Sequence, residues 1–145
     1  MLLQASMEFI ATLCCGLFAG AAVYINLVEH PARMSCGIEA AAAEWAPSYE
    51  RAARMQAPLA VVGFVCAVVA WFLGSGAGWL IGGVLLGLVV PFTLLVVMPT
   101  NTRLLSADLD KRSEEARHLL NRWNALHGVR TALCVVAFLF FLIGR

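Results

Sequence analysis

Residues 57–98 read APLAVVGFVCAVVAWFLGSGAGWLIGGVLLGLVVPFTLLVVM, and this stretch decides the fold. It contains two apolar runs, Ala57 to Leu73 and Gly78 to Met98, with only Gly74-Ser-Gly-Ala-Gly78 between them. Each run approaches or reaches the ~20 residues that an α-helix needs to cross a hydrocarbon core. So short a connection makes the two helices antiparallel neighbours. Working outward, Phe9 to Val28 is a third run of the same kind. Thr131 to Ile143 is a fourth, too short by itself. Helical periodicity continues it backwards through Leu126, Trp123, Leu120, Leu119 and Ala116 to an N-cap at Ser113, with Glu114 and Glu115 in the first turn. A helix starting there is about 45 Å long at ~1.5 Å per residue, so its first half stands outside the membrane. Trp45 to Gln56 reads as a similar approach to the second span, with Pro47 tolerated in the first turn. The predicted fold class is all-α: one domain over 1–145, an integral membrane four-helix bundle with spans at about 9–28, 57–73, 78–98 and 126–143 and helices two and four extending into the cytoplasm.

Composition leads to the same place. The chain of 145 residues is 61% hydrophobic and 13% charged, with mean hydropathy +0.84, which leaves too few polar side chains to cover a water-soluble globule. The start has no basic region and no small-residue cleavage site, and Glu8 fronts the first apolar run, so that run is expected to remain as a helix. A net charge of +1 and scattered arginines argue against a nucleic-acid partner. Cys14, Cys15, Cys36, Cys66 and Cys134 form no C-x-x-C pair or zinc spacing and are read as packing residues.

Nine basic residues (Arg33, Arg51, Arg54, Arg103, Lys111, Arg112, Arg117, Arg122 and Arg130) lie in or beside the first and third connections, and Arg145 alone lies opposite. The positive-inside rule then places those connections in the cytoplasm and both termini outside. Arg51, Arg54 and Arg122 are read as snorkelling or phospholipid-contacting groups, and His118 as solvated. Gly16 with Gly20, Gly78 with Gly82, and Gly83 with Gly87 suit close helix packing in lipid and leave a homo-oligomer open.

The polar residues of the spans are not scattered. At 100° per residue Trp123, His127, Arg130 and Cys134 share one stripe of helix four. Trp45, Tyr49, Ala52, Gln56, Leu59 and Gly63 align on helix two, and Thr12, Gly16, Ala19, Val23, Asn26 and His30 on helix one. Helix three supplies Thr93, and Pro99-Thr100-Asn101 is expected to end that span, as Pro31 after His30 could end helix one. Glu29, His30, Tyr49, Gln56, Thr100, Asn101, Trp123, His127 and Arg130 thereby reach a similar depth, and a pocket is the economical explanation. Ionisable groups aimed into a membrane bundle are costly unless they serve a site. Three readings follow: a catalytic pocket; a metal centre in which Glu29, His30 and His127 ligate iron or copper; and a non-enzymatic binding or accessory protein. The metal reading needs a helix broken at Pro31, because adjacent residues diverge by about 100° on a continuous one.

In order, H-P-A-R-M (30–34), W-x-x-x-Y (45–49), R-x-Q (54–56), P-F-T (91–93), P-T-N (99–101) and W-x-x-x-H-x-x-R (123–130) resemble the anthrone-oxygenase-like family of small four-span membrane proteins. The resemblance covers essentially the whole chain. It implies a reaction in which some fungal relatives oxidise polycyclic anthrones to anthraquinones with O₂. It also implies a hydrophobic small-molecule substrate and surrounding membrane lipid as the partners. The ratio of nine Arg to one Lys points to a bacterial protein, hence an inner membrane. On this reading His127 or His30 is the base and Arg130 stabilises an oxyanion. Trp45, Tyr49 and Trp123 stack on the substrate, while Gln56, Thr100 and Asn101 hold its polar substituents, with no cofactor.

Overall fold

A computed structural model of the chain describes residues 1–144, so Arg145, which entered the charge bias above, lies outside the described residues. Four long helices follow one another: α1 (Leu2–Ser35), α2 (Ile38–Phe72), α3 (Ala77–Leu104) and α4 (Glu114–Ile143), and among the described residues there is no strand. Each contains an 18-residue window apolar enough to cross a bilayer, with mean hydropathy between 1.8 and 2.6. An integral membrane protein is the physical consequence, because Leu13, Leu17, Val61, Val65, Leu88 and Leu139 are all exposed on the outside of the bundle.

The helices form a square. α1 packs on α2 and α4, and α3 packs on the same two, while the diagonal pairs scarcely meet. Consecutive helices are antiparallel because their connections are short. Between α1 and α2 the chain turns at Gly37, whose φ of 90° only glycine adopts without strain; Gly74, at φ 101°, does the same between α2 and α3. Ser113 starts α4 as expected, its hydroxyl accepting from the Ala116 amide at 3.1 Å.

Close approach in the half of the bundle that holds the termini rests on small residues. A Cβ at Gly82 would lie 2.6 Å from the Phe141 ring, and one at Gly87 would lie 2.8 Å from Phe64. At Gly16 it would lie 3.0 Å from Phe138. Gly20 departs from the packing expectation: it faces open space on the outside of α1.

Prolines do not end helices here as the sequence reading expected. α1 runs through Pro31 to Ser35, α3 runs through Pro99 to Leu104, and Pro47 sits inside α2, whose first residue is Ile38. Pro31 and Pro99 are each preceded by a π-helical turn, Ile25–Glu29 and Thr93–Val97, ending two residues before the proline. A proline interrupts the i→i−4 ladder and its ring crowds the carbonyl one turn back. A locally widened turn accommodates the defect without breaking the rod.

Between the two apolar clusters, one around Phe18, Leu86 and Phe141 and the other around Trp45, Val97 and Leu120, the square is not filled. Both π turns lie at the level of that gap.

Candidate functional site

The gap is a cavity of about 200 Å³ with walls from all four helices: Ile25 and Glu29 of α1, Tyr49 and Gln56 of α2, Thr93 and Leu94 of α3, and Trp123, His127 and Arg130 of α4. Most of the remaining lining is Ala, Val, Phe and Met. Ala57 and Leu94, which border it, are exposed on the outer faces of α2 and α3. The cavity therefore opens sideways, between α2 and α3, onto the apolar outer surface of the bundle.

His127 is 1% exposed, and its orientation is fixed by a chain of hydrogen bonds. The Asn26 amide nitrogen lies 3.0 Å from the backbone carbonyl of Asn124, which can only accept, and 2.7 Å from the Asn124 side-chain oxygen. That contact assigns Nδ2 of Asn26 and turns its Oδ1 toward α4. Oδ1 accepts from the Thr131 hydroxyl at 2.5 Å and faces Nδ1 of His127 at 2.9 Å. An amide oxygen has no proton to give, so Nδ1 carries the hydrogen and donates. In the neutral ring Nε2 is then the basic nitrogen, and it forms no hydrogen bond with any described residue. Asn26 lies within the π turn of α1, one helix away from the ring it holds.

Arg130 follows His127 by one turn. It is 8% exposed; its Nη2 donates to the Gln56 side-chain oxygen at 3.0 Å and its guanidinium lies 5.6 Å from the Phe18 ring centre. No carboxylate among the described residues pairs with it. The Trp123 ring lies 4.9 Å from His127 on the other side, and Trp45 meets it edge-on at 5.7 Å. Trp45 is wholly buried behind Tyr49, the two rings stacked at 5.0 Å with 4° between planes.

Of the residues singled out from sequence, Glu29, Tyr49, Gln56, Trp123, His127 and Arg130 thus share one cavity. The other four are off its walls. His30 is buried with its ring centre 6.2 Å from Trp123, Trp45 backs Tyr49, and Thr100 and Asn101 are buried on α3. Both polar atoms of the Asn101 amide are without partners.

Two residues assigned no role from sequence carry much of the arrangement. Asn26 is one. The other is Arg33, which the charge bias counted as a loop residue but which is 6% exposed on the last turn of α1. It pairs with Glu29 and with Glu44 at 2.7 Å, donates to Ser48 at 3.2 Å, and lies 5.9 Å from the Trp123 ring. The i, i+4 spacing of Glu29 and Arg33 was the available signal. Because Glu29 also accepts from Ser48 at 2.5 Å, the one carboxylate side chain on the cavity wall among the described residues is already committed. No group of three His, Cys, Asp or Glu side chains among the described residues is arranged to hold a metal ion. With α1 unbroken at Pro31, the condition for Glu29 and His30 to converge is not met.

A model of the family described as Anthrone oxygenase matches residues 45–140, more than half of the chain. The chain belongs to the anthrone oxygenase family. No match was found among curated proteins or among solved structures. The span matched by the anthrone oxygenase model takes in Tyr49, Gln56, Trp123, His127 and Arg130; Asn26, Glu29, His30 and Arg33, all on α1, lie before it.

Proposed function

We propose that this protein is a membrane-embedded oxygenase that takes a flat, apolar, anthrone-like substrate from the bilayer and oxidises it with O₂, without a cofactor. The observation that carries the reading is the pairing, on one wall of a cavity that opens sideways from the bundle, of an imidazole whose Nε2 has no partner among the described residues with a guanidinium one turn away that no carboxylate among them neutralises.

A methylene activated by a carbonyl and flanking rings is acidic enough for a neutral imidazole to take its proton. Nε2 of His127 accepts that proton, and the negative charge left on the substrate collects on its carbonyl oxygen beside Arg130. The electron-rich anion reduces O₂, the carbon–oxygen bond forms, and the resulting peroxide takes the proton back from His127. Removal of the second C–H proton with cleavage of the O–O bond gives the new carbonyl and one molecule of water. One methylene and one O₂ are consumed per carbonyl and water formed. Tyr49 and Trp123 supply flat surfaces against the rings, and Gln56 fixes Arg130. Trp45 supports Tyr49 from behind.

The same reading puts the connections between α1 and α2 and between α3 and α4 in the cytoplasm, with both termini outside, and the polar ends of α2 and α4 projecting from a bacterial inner membrane. The test is O₂ uptake and quinone formation by detergent-purified protein with an anthrone, alongside elemental analysis. His127→Ala is expected to lower the rate about 10²- to 10⁴-fold. Full activity in His127→Ala would end the reading, and a stoichiometric iron or copper lost in His127→Ala and His30→Ala would replace it with a metal-dependent one.

A further inference from the structure

Among the described residues no negative charge pairs with Arg130. Around the cavity the ionisable groups are Glu29 from α1, Tyr49 from α2, and His127 and Arg130 from α4, while α3 contributes none. Glu29 is held by Arg33 and Ser48, and Gln56 offers Arg130 a neutral oxygen only. Nη1 of Arg130 forms no hydrogen bond among the described residues, and its Nε, like Nε2 of Gln56, is buried without a partner. Each of these orphaned atoms is a donor. The local shortage is therefore of acceptors, and specifically of negative charge, at a place where a lone cation inside a membrane bundle is costly.

We propose that the cavity binds its ligand as the oxyanion: a weakly acidic flat compound, a phenol or an enolisable aromatic ketone, gives up its proton on binding and places the charged oxygen against Arg130. The bond broken is the ligand's O–H or acidic C–H, and the proton goes to Nε2 of His127 while Nδ1–H stays on Asn26. No electrons are transferred in this step. It deepens the oxygenase reading and rests on it, because the anion is the species that O₂ oxidises. It also changes what Arg130 does. The guanidinium sets the resting state of the bound ligand before O₂ arrives, so a neutral compound of the same shape is a poor occupant.

The sign of one titration tests this. An apolar cavity by itself favours the neutral form of an acid and raises its pKa, whereas a facing guanidinium lowers it. 2-Naphthol, which does not need O₂ to report, is titrated by its absorbance from about pH 6 to about pH 10 in the presence of purified protein and, separately, in detergent alone. The expected result is a midpoint for the bound probe at least about one unit lower than in detergent, equivalent to about tenfold selectivity for the anion. Arg130→Gln should abolish that displacement, while affinity for 2-methoxynaphthalene, which cannot ionise, changes less than about twofold. A midpoint that rises, or does not move, overturns the proposal. If Arg130→Gln cannot be purified folded, the direction seen with the wild-type protein decides alone. Wild-type protein that lowers the midpoint but consumes no O₂ with any C–H acid leaves this inference standing and removes the oxygenase reading.

Discussion

Replacing Asn26 with Leu removes one amide and leaves the shape of α1 nearly unchanged. Its oxygen accepts from His127 and Thr131, and its nitrogen donates twice to Asn124. Thr131 loses little, since its one hydroxyl hydrogen can turn to the His127 carbonyl, 3.1 Å away. His127 loses most: a buried Nδ1–H with no acceptor costs about 1–3 kcal/mol. The ring escapes that penalty by moving its proton to Nε2, which disables the nitrogen that acts as base. At about 1.4 kcal/mol per decade, the same 1–3 kcal/mol predicts a fall in rate of about 5- to 150-fold. The tautomer is read directly from the nitrogen-15 shifts of ring-labelled protein in detergent, where protonated and unprotonated ring nitrogens are well separated. There are three histidines, His30, His118 and His127, so single substitutions assign each signal. Wild-type protein should show His127 protonated at Nδ1, and Asn26→Leu should show it protonated at Nε2. An Nε2–H tautomer in the wild type, or no change in Asn26→Leu, would refute the reasoning.

Further outcomes are expected. Gly82→Val should destabilise the protein by about 1–3 kcal/mol in a thermal or denaturant melt, because even a Cβ would meet Phe141 at 2.6 Å and the carbonyl of Ala137 at 3.0 Å; Gly20→Val, facing open space, is the matched control. Trp123→Ala should weaken binding of a polycyclic ligand by about 10- to 100-fold in a fluorescence titration, through loss of a flat wall and of the packing that holds Trp45 and His127. In the connection between α3 and α4, the Ser106 hydroxyl and then Arg103 hold the Asp108 carboxyl below its usual range. Its contribution to stability is therefore present above the unfolded value near 3.8 and is lost as pH falls through the lower folded value. Asp108→Asn should remove that part of the acid sensitivity below about pH 4 in melts and leave the melting temperature at neutral pH little changed.

Four membrane-crossing helices and the family were legible in the amino-acid order, for a physical reason. Covering a bilayer needs about 20 apolar residues in a row, and such runs are visible without any knowledge of packing. The stripe that carries Trp123, His127 and Arg130 was legible too, because α4 keeps a regular 3.6-residue period throughout. What sequence could not give was how α1 and α3 behave near their prolines. Local chemistry says that Pro31 and Pro99 end helices, and in an isolated peptide that tendency would prevail. In the bundle both helices continue past the proline, and the defect is absorbed as a π turn instead. Asn26, within the π turn of α1, reaches His127 on α4, and Arg33, after it, turns inward to Glu29 and Glu44 rather than out to solvent. The apolar runs and the one regular stripe were determined by residue order alone. Which nitrogen of His127 is free, and that Arg130 meets the neutral Gln56 rather than a carboxylate among the described residues, depend on groups from other helices, and only the tertiary structure decides them.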